Sequence, residues 1–154
     1  MVYHYTYETT ELGSVTFVEE DGALLAISTH RSQGICQETT LIKEAYLQLT
    51  EYLKGERKTF DLPLNPQGTD FQKRVWKALC DIPYGEVRSY KQIAESIGNP
   101  KAVRAVGMAN NRNPLLIIVP CHRVIGADGK LVGYAAGLDK KAFLLGLEAK
   151  YSTP

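Results

Sequence analysis

Residues 115–119 form an unbroken apolar run, LLIIV, that ends at Pro120. Five consecutive apolar residues bounded by a proline predict a buried strand, because a strand that is covered on both faces is apolar at every position. Directly after the proline come Cys121, His122 and Arg123. The sequence therefore predicts that a buried strand carries a thiol and two basic side chains to its end, where a ligand can meet them.

Length and composition predict an ordinary globular chain. With 154 residues, of which 44% are hydrophobic and 23% charged, it suits one domain or two small lobes. No apolar run approaches the ~18 residues of a membrane span, and the N-terminus shows no signal-peptide pattern. Three cysteines without CxxC spacing predict no disulfide framework. We expect a cytoplasmic, monomeric protein that does not bind membranes.

Charge is divided unevenly along the chain. The first 63 residues carry 10 acidic and 5 basic side chains, whereas the remainder carries 7 acidic and 13 basic ones. A basic half on a nearly neutral chain favours a local surface for a polyanion.

The N-terminal part has the pattern of a small α/β lobe. Strands are predicted at 14–18 and 23–29, joined by a tight turn at Asp21-Gly22. An amphipathic helix follows over 38–55, ended by Gly55, and a short strand over 59–64. Residues 65–68, NPQG, mark a boundary, so the predicted lobes span 1–65 and 66–154. The predicted sheet is antiparallel.

The C-terminal lobe is predicted to be a mostly helical winged helix-turn-helix. Capping boxes at Thr69 with Gln72 and Ser89 with Gln92 open two helices. A third helix is expected to be capped by Asn99, with Pro100 at its first position. It follows the second after only a two-residue turn. Strand 115–119 and residues 123–134, which turn at Asp128-Gly129, would form the wing.

The helix predicted to begin at Asn99 is unusual for one that reads DNA. Ala102, Ala105 and Gly107 allow close approach of the backbone but cannot read base edges, and Arg104 is the one long cation in the middle of the helix. These residues suit a minor groove, with Arg104 filling the stack after a base is extruded. The alternative is that the small residues simply pack this helix against the helix predicted over 71–81.

Cys121 is the candidate nucleophile. A thiol reacts as its thiolate, so it needs a base or a nearby cation. His122 is adjacent, and Glu148 lies beside the apolar face of a helix predicted over 139–150 and capped by Asp139. A Cys–His–Glu relay is one interpretation; a buried inert thiol and a solvated Glu148 are the other. No paired metal-ligand spacing is present, so no metal is expected.

Several motifs together resemble one known family. PCHRV (120–124), RNP (112–114), GYAAGL (133–138), IPYGEVRSYKQIA (82–94) and NPKAVRAVG (99–107) occur in the order found in the O6-alkylguanine-DNA alkyltransferases, the methylated-DNA–protein-cysteine methyltransferases. The resemblance covers residues 69–150. It implies a DNA repair protein that binds double-stranded DNA containing O6-alkylguanine through the minor groove and flips the damaged nucleotide. The alkyl group, from O6-alkylguanine or O4-alkylthymine, would pass irreversibly to the protein's own cysteine, once per molecule and without a cofactor.

The resemblance also implies roles for individual residues. Cys121 would accept the alkyl group, His122 would take the thiol proton through a water, and Glu148 would hydrogen-bond the histidine. Asn113 would brace the active-site segment, and Tyr90 would donate to the leaving guanine and press on a phosphate. The residues of the helix that contains Arg104 would contact DNA: Ala102, Arg104, Ala105 and Gly107. The base pocket would be lined by Val124, Tyr134 and Ala135. Arg123 is expected to tie the active-site turn to the N-terminal lobe or its neighbours.

Two departures and two rival functions remain open. Ala136 stands where many members have glycine, which would narrow the pocket for bulky adducts, and the zinc pattern of some eukaryotic members is missing. A winged-helix module without chemistry would leave Cys121 inert. A cysteine hydrolase would turn over repeatedly.

Overall fold

The computed structural model describes residues 1–152 and divides the chain into two compact units, the first ending at Gln67 and the second beginning at Gly68. The last two residues of the predicted C-terminal lobe lie outside the described residues. A mixed sheet with one helix makes the first unit, and helices make most of the second, as the predicted fold class requires. Within residues 1–152, none of the helices has the length and apolar character needed to cross a bilayer.

The first unit is built on a four-stranded sheet in the order β3-β2-β1-β4. Its strands are β1 (Val2–Thr9), β2 (Gly13–Glu20), β3 (Ala23–Ser28) and β4 (Ile35–Cys36). The Asp21-Gly22 turn between β2 and β3 is confirmed, with both residues at positive φ. β1 was missed by the sequence analysis, although its alternating β-branched and aromatic residues are typical of a strand. The sheet is mixed rather than antiparallel, because β4 pairs in parallel with β1.

Helix α1 (Thr40–Leu53) supplies the apolar face that covers this sheet. Thr39 caps it, and Gly55 follows its end at a φ of 76°. The strand predicted over 59–64 is wrong except at its last residue, since only Leu64 makes a bridge, to Leu24. The amide of Leu24 donates to the Pro63 carbonyl, and the amide of Asn65 donates to the Leu24 carbonyl. Pro63 has no amide hydrogen, so the ladder does not extend back through it.

The second unit begins with two helices whose capping boxes are both confirmed. α2 (Asp70–Cys80) is capped by Thr69 with Gln72, and α3 (Tyr90–Ser96) by Ser89 with Gln92. α4 (Val103–Asn111) begins later than predicted and has no side-chain cap. Instead of capping a helix, Asn99 accepts a hydrogen bond from Ala102 in a separate turn, so Pro100 lies in the connection and not in the helix.

The remaining elements are short, apart from the last helix. β5 (Arg88–Ser89) and β6 (Val124–Ile125) pair in parallel, and the predicted turn at Asp128-Gly129 is present. Residues 131–134 add no strand to β6, so the predicted wing hairpin is wrong. α5 (Leu138–Tyr151) begins after Gly137 without a side-chain cap, and Asp139 lies in its first turn rather than capping it.

Candidate active site

The apolar run at 115–119 forms a buried, compact turn, so the predicted strand is wrong. The amide group of Asn113 donates to the carbonyls of Leu115 (3.3 Å) and Val119 (2.7 Å), and its Oδ1 accepts from the Leu115 amide at 2.9 Å. The Val119 amide closes the turn on the Leu115 carbonyl at 3.0 Å. Ile117 has a φ of 71°, a rare conformation for a β-branched residue. One buried side chain thus satisfies the backbone groups that a neighbouring strand would otherwise bind.

The turn carries the chain directly into a single 3-10 turn, Cys121–Arg123. The Cys121 amide donates to the Val119 carbonyl at 2.8 Å, the same carbonyl that Asn113 holds. The Cys121 side chain is only 3% exposed. Burial raises the pKa of its thiol to about 11, while a hydrogen bond with Asn113 and the charge of Lys141 act in the opposite direction. In this structure the thiol is therefore protonated at neutral pH.

His122 lies in the same turn and is fully buried. Its Nε2 lies 2.7 Å from Oε2 of Glu148 on α5. Burial lowers the pKa of the imidazole, and the hydrogen bond and charge of Glu148 only partly oppose this effect. A neutral imidazole that donates from Nε2 to the carboxylate has its lone pair on Nδ1, so it can act as a base.

Glu148 is held by several donors in the interior of the second unit. Arg123 donates from Nε to Oε1 at 2.8 Å and from Nη2 to Oε2 at 3.0 Å. The Gly85 amide adds a hydrogen bond to Oε1 at 3.1 Å. Arg123 Nη1 also donates to the Ile82 carbonyl at 2.7 Å, which ties the turn to the end of α2. These donors stabilise the carboxylate as an anion, so it can orient His122.

Lys141 is a buried residue near the thiol that the sequence analysis missed. It lies three residues before Leu144 and seven before Glu148 on the buried face of α5. Its Nζ donates to the Val132 carbonyl at 2.8 Å and lies 3.4 Å from the Gly133 carbonyl. Burial lowers the pKa of the ammonium group, and Cys121 opposes that shift. The helical spacing to Glu148 is the signal that would have found it.

Tyr90 binds the Val132 carbonyl that Lys141 also binds. Its hydroxyl donates to Val132 O at 2.9 Å. Burial and the nearby Cys121 raise the pKa of the phenol. The pKa of Tyr134 is also raised, by burial first and then by the charges of Cys121 and Glu148. Both predicted tyrosines are therefore close enough to the thiol for its charge to affect them.

The other predicted pocket and DNA-binding residues are more widely placed. Val124 is fully buried in β6, directly after the turn, whereas Ala135 is exposed. On α4, Arg104 and Ala105 are exposed, and Ala102 immediately precedes the helix. A Cβ added at Gly107 would lie 3.8 Å from the Tyr90 ring, so α4 approaches this tyrosine through a glycine. In the part of the chain that the structure describes, no group of three or more His, Cys, Asp or Glu side chains could hold a metal ion.

Comparison with known proteins covers both units. Residues 70–150 match the 6-O-methylguanine DNA methyltransferase, DNA binding domain, and residues 1–66 match the ribonuclease-like domain of the same family. A methylated-DNA–protein-cysteine methyltransferase of Methanosarcina barkeri is 69% identical over 106 residues, which are 69% of this chain and 67% of that protein. The constitutive methylated-DNA–protein-cysteine methyltransferase of Bacillus subtilis is 48% identical over 94% of both chains.

Solved structures agree with these matches over nearly the whole length. The crystal structure of Mycobacterium tuberculosis OGT in complex with DNA is 46% identical, covers 97% of this chain and 94% of that chain, and has a TM-score of 0.90. The O6-methylguanine methyltransferase from the same organism also has a TM-score of 0.90, at 44% identity over 100% of this chain and 96% of that chain. The chain therefore belongs to the O6-methylguanine DNA methyltransferase family.

Proposed function

We propose that the protein repairs duplex DNA by transferring the alkyl group of O6-alkylguanine, and of O4-alkylthymine, irreversibly to its own Cys121. DNA repair by alkyl transfer to a protein cysteine is the activity of the family to which the chain belongs. Each molecule acts once, after binding the minor groove and flipping the damaged nucleotide. The relative solved with DNA supports duplex DNA as the partner.

The observation that carries this proposal is the contact of His122 with Glu148, at 2.7 Å, in the turn that begins with Cys121. A structural thiol needs no base beside it, whereas a nucleophilic thiol does. Glu148 is in turn held by Arg123 and by the Gly85 amide. The buried histidine is thus oriented from behind by a fixed carboxylate.

The reaction balances without an external reagent. His122 accepts the thiol proton at Nδ1 through a bridging water, and the Cys121 sulfur attacks the alkyl carbon. The sulfur–carbon bond forms as the carbon–O6 bond breaks, and the electron pair of the broken bond passes to the guanine. The guanine takes up one proton from the Tyr90 hydroxyl as it leaves. The proton held on His122 passes through water to restore the phenol, so the proton lost by the thiol balances the one gained by the guanine. The product thioether has no ready route to hydrolysis, so the protein is consumed.

The state of the thiol supports a reaction that starts only with substrate in place. In the DNA-free structure the pKa of the Cys121 thiol, about 11, lies far above the pKa of the His122 imidazole. Proton transfer from the thiol to the histidine is therefore unfavourable until the damaged nucleobase fills the pocket. A resting thiol of this kind is protected from other electrophiles and from oxidation.

DNA contact is assigned to α4. The exposed face of α4 carries Arg104 together with Ala105 and the apolar side chains of Val103 and Met108, so it suits close approach to the minor groove and offers little to read a sequence. Arg104 would enter the stack in place of the flipped nucleotide. The damaged base would then enter beside Tyr90, the residue that Gly107 approaches.

Intact-protein mass spectrometry tests the proposal directly. The protein is mixed with excess duplex containing one O6-methylguanine, and in parallel with the undamaged duplex. We expect one added methyl group per molecule, mapped to Cys121, with the damaged duplex alone. Binding without a mass change would favour the DNA-binding module, and repeated demethylation by unmodified protein would favour a hydrolase.

A further inference from the structure

Asn110 is a buried amide that no role above uses. It lies on the buried face of α4 and is 1% exposed. Neither its Nδ2 nor its Oδ1 has a hydrogen-bond partner among the residues that the structure describes. Burying a donor and an acceptor without partners is costly, and most proteins avoid it. A leucine of similar volume would fill the same space without that cost. The presence of an amide here therefore indicates that a ligand binds its two polar atoms.

The position of Asn110 on the helix indicates where this ligand would lie. Gly107, one turn earlier, approaches the Tyr90 ring. Ala109 is also buried, and its carbonyl accepts from Trp76 Nε1 on α2 at 2.9 Å. By its helical position Ala109 lies on the other side of Val106 from Gly107. At 100° per residue, Asn110 lies between the core residue Val106 and Gly107. It is therefore on the side of the buried face nearer Tyr90.

Asn113 connects Asn110 to the thiol. Its backbone amide donates to the Asn110 carbonyl at 3.3 Å. The Asn113 side chain in turn holds the Val119 carbonyl and hydrogen-bonds Cys121. Along the chain Asn110 lies between Gly107, which approaches Tyr90, and Asn113, which contacts Cys121. Tyr90 and Cys121 are the two groups that must face the reacting nucleobase.

We propose that Asn110 is a specificity-determining residue that binds the edge of the extruded base. Alkylation at O6 leaves N1 of guanine without a proton, so N1 is an acceptor beside the 2-amino donor. The Asn110 amide offers the complementary pair, with Nδ2 donating to the ring nitrogen and Oδ1 accepting from the 2-amino group. This inference rests on the proposed function, because it takes O6-alkylguanine as the substrate.

The test compares Asn110→Leu with wild type on two duplexes, one with O6-methylguanine and one with O6-methylhypoxanthine, which lacks the 2-amino group. We expect the variant to unfold at the same or a higher temperature, because an unpartnered amide is removed. Its transfer rate on O6-methylguanine should fall roughly 10- to 100-fold, the range for losing one bidentate base contact. The preference of wild type for the 2-amino substrate should shrink accordingly.

Two further variants separate base recognition from folding. Asn110→Ala removes the amide without adding volume and should lose the same preference, even if Asn110→Leu folds poorly. Asn99→Leu changes an exposed asparagine of the same unit and should leave rate and preference unchanged. Iodoacetamide labelling of Cys121 reports the thiol environment and should be the same in all folded variants.

The outcomes are distinct. Retained preference for the 2-amino substrate in both Asn110 variants overturns the inference, as does an equal loss on both duplexes together with a lowered unfolding temperature. The latter result would assign the amide a structural role. If wild type itself transfers no methyl group, the proposed function fails, and the inference fails with it.

Discussion

Arg123 and Glu148 form a bidentate ion pair in the interior of the second unit, with Nε 2.8 Å from Oε1 and Nη2 3.0 Å from Oε2. The same carboxylate holds His122 at 2.7 Å. The guanidinium therefore supports the base by fixing the position of the carboxylate that orients it. Its role is internal to this unit, since its contacts are with Glu148 and the Ile82 carbonyl.

Replacing Arg123 with methionine should leave Glu148 with an uncompensated buried charge. Breaking a buried ion pair on one side costs about 3–5 kcal/mol, and we expect the free energy of unfolding to fall by that order in urea titrations. The matched control is Arg88→Met, because Arg88 pairs with Glu86 on the surface. Its loss should cost at most about 1 kcal/mol. Similar losses for both variants would contradict a special role for the buried pair.

Replacing Lys141 with methionine should raise the pKa of the Cys121 thiol further, because the ammonium charge now favours the thiolate. The pH profile of iodoacetamide labelling at Cys121 should move to higher pH, and alkyl transfer should slow. Lys140→Met makes the same change of charge at the adjacent position and should leave the profile in place. Indistinguishable profiles for the two variants would exclude an electrostatic effect of Lys141 on the thiol.

The labelling rate of Cys121 in DNA-free protein should rise about tenfold per pH unit and level off only near its pKa, about 11. Burial raises the pKa of Cys121 in the folded protein above its value in the unfolded chain. The neutral thiol therefore contributes its full stabilisation at pH values below the pKa of the unfolded chain, and this stabilisation is lost as the pH rises through the pKa of the folded protein. The rates are read by peptide mass spectrometry, which separates Cys121 from the exposed Cys36 and Cys80. A plateau near the pKa of a free thiol would show that the thiol is not held in its buried state.

Gly85→Ala should destabilise the protein more than Gly98→Ala. Both glycines have positive φ, at 82° and 76°, so alanine is strained at either position by about 1–2 kcal/mol. At Gly85 the added Cβ would also lie 2.5 Å from Ser152 Cβ, whereas at Gly98 no atom of residues 1–152 would lie within 4 Å of it. The shift needed at Gly85 would disturb the hydrogen bond that its backbone amide donates to the Glu148 carboxylate. Chemical denaturation measures both costs, and equal values would show that only the φ strain matters.

Arg104→Ala should slow methyl transfer on duplex DNA roughly 10- to 100-fold, since the space left by the flipped base is no longer filled. Transfer from a single strand of the same sequence should change little, because no stack has to be held open. Lys101→Ala removes a charge just before α4 and should weaken binding to both substrates similarly. An equal loss on duplex and single strand for Arg104→Ala would reduce Arg104 to a phosphate contact.

Local features were predicted correctly where two residues of a known motif agreed, whereas the helix caps predicted from the single residues Asn99 and Asp139 were wrong. The capping boxes of α2 and α3 and the Asp21-Gly22 turn were all correct. Each rests on a hydrogen bond or a φ angle within three residues, so the local sequence contains everything that determines it. The family was also recognised from short motifs, whose order along the chain survives without any knowledge of the fold.

The prediction at residues 115–119 failed for a reason that lies outside the run itself. Its composition is that of a buried strand, and the residues are indeed mostly buried. The amide of Asn113, however, satisfies the carbonyls of Leu115 and Val119 and closes the chain into a turn. Apolar composition reports burial and cannot tell which partner binds the backbone.

The sequence by itself determined the capping boxes that open α2 and α3, the adjacent Cys121 and His122, and the family. The resemblance implied the hydrogen bond between His122 and Glu148, and the structure confirms it. Tertiary structure alone decided that the ends of α2, α5 and the 3-10 turn meet, so that the same carboxylate also accepts from Arg123 and from the Gly85 amide, 63 positions away. It also decided that the thiol is buried and protonated at rest and that Lys141 is its nearby cation. The physical reason is that caps and turns depend on contacts within a few residues, whereas pKa values and ion pairs depend on which distant groups packing brings together and how far it excludes water.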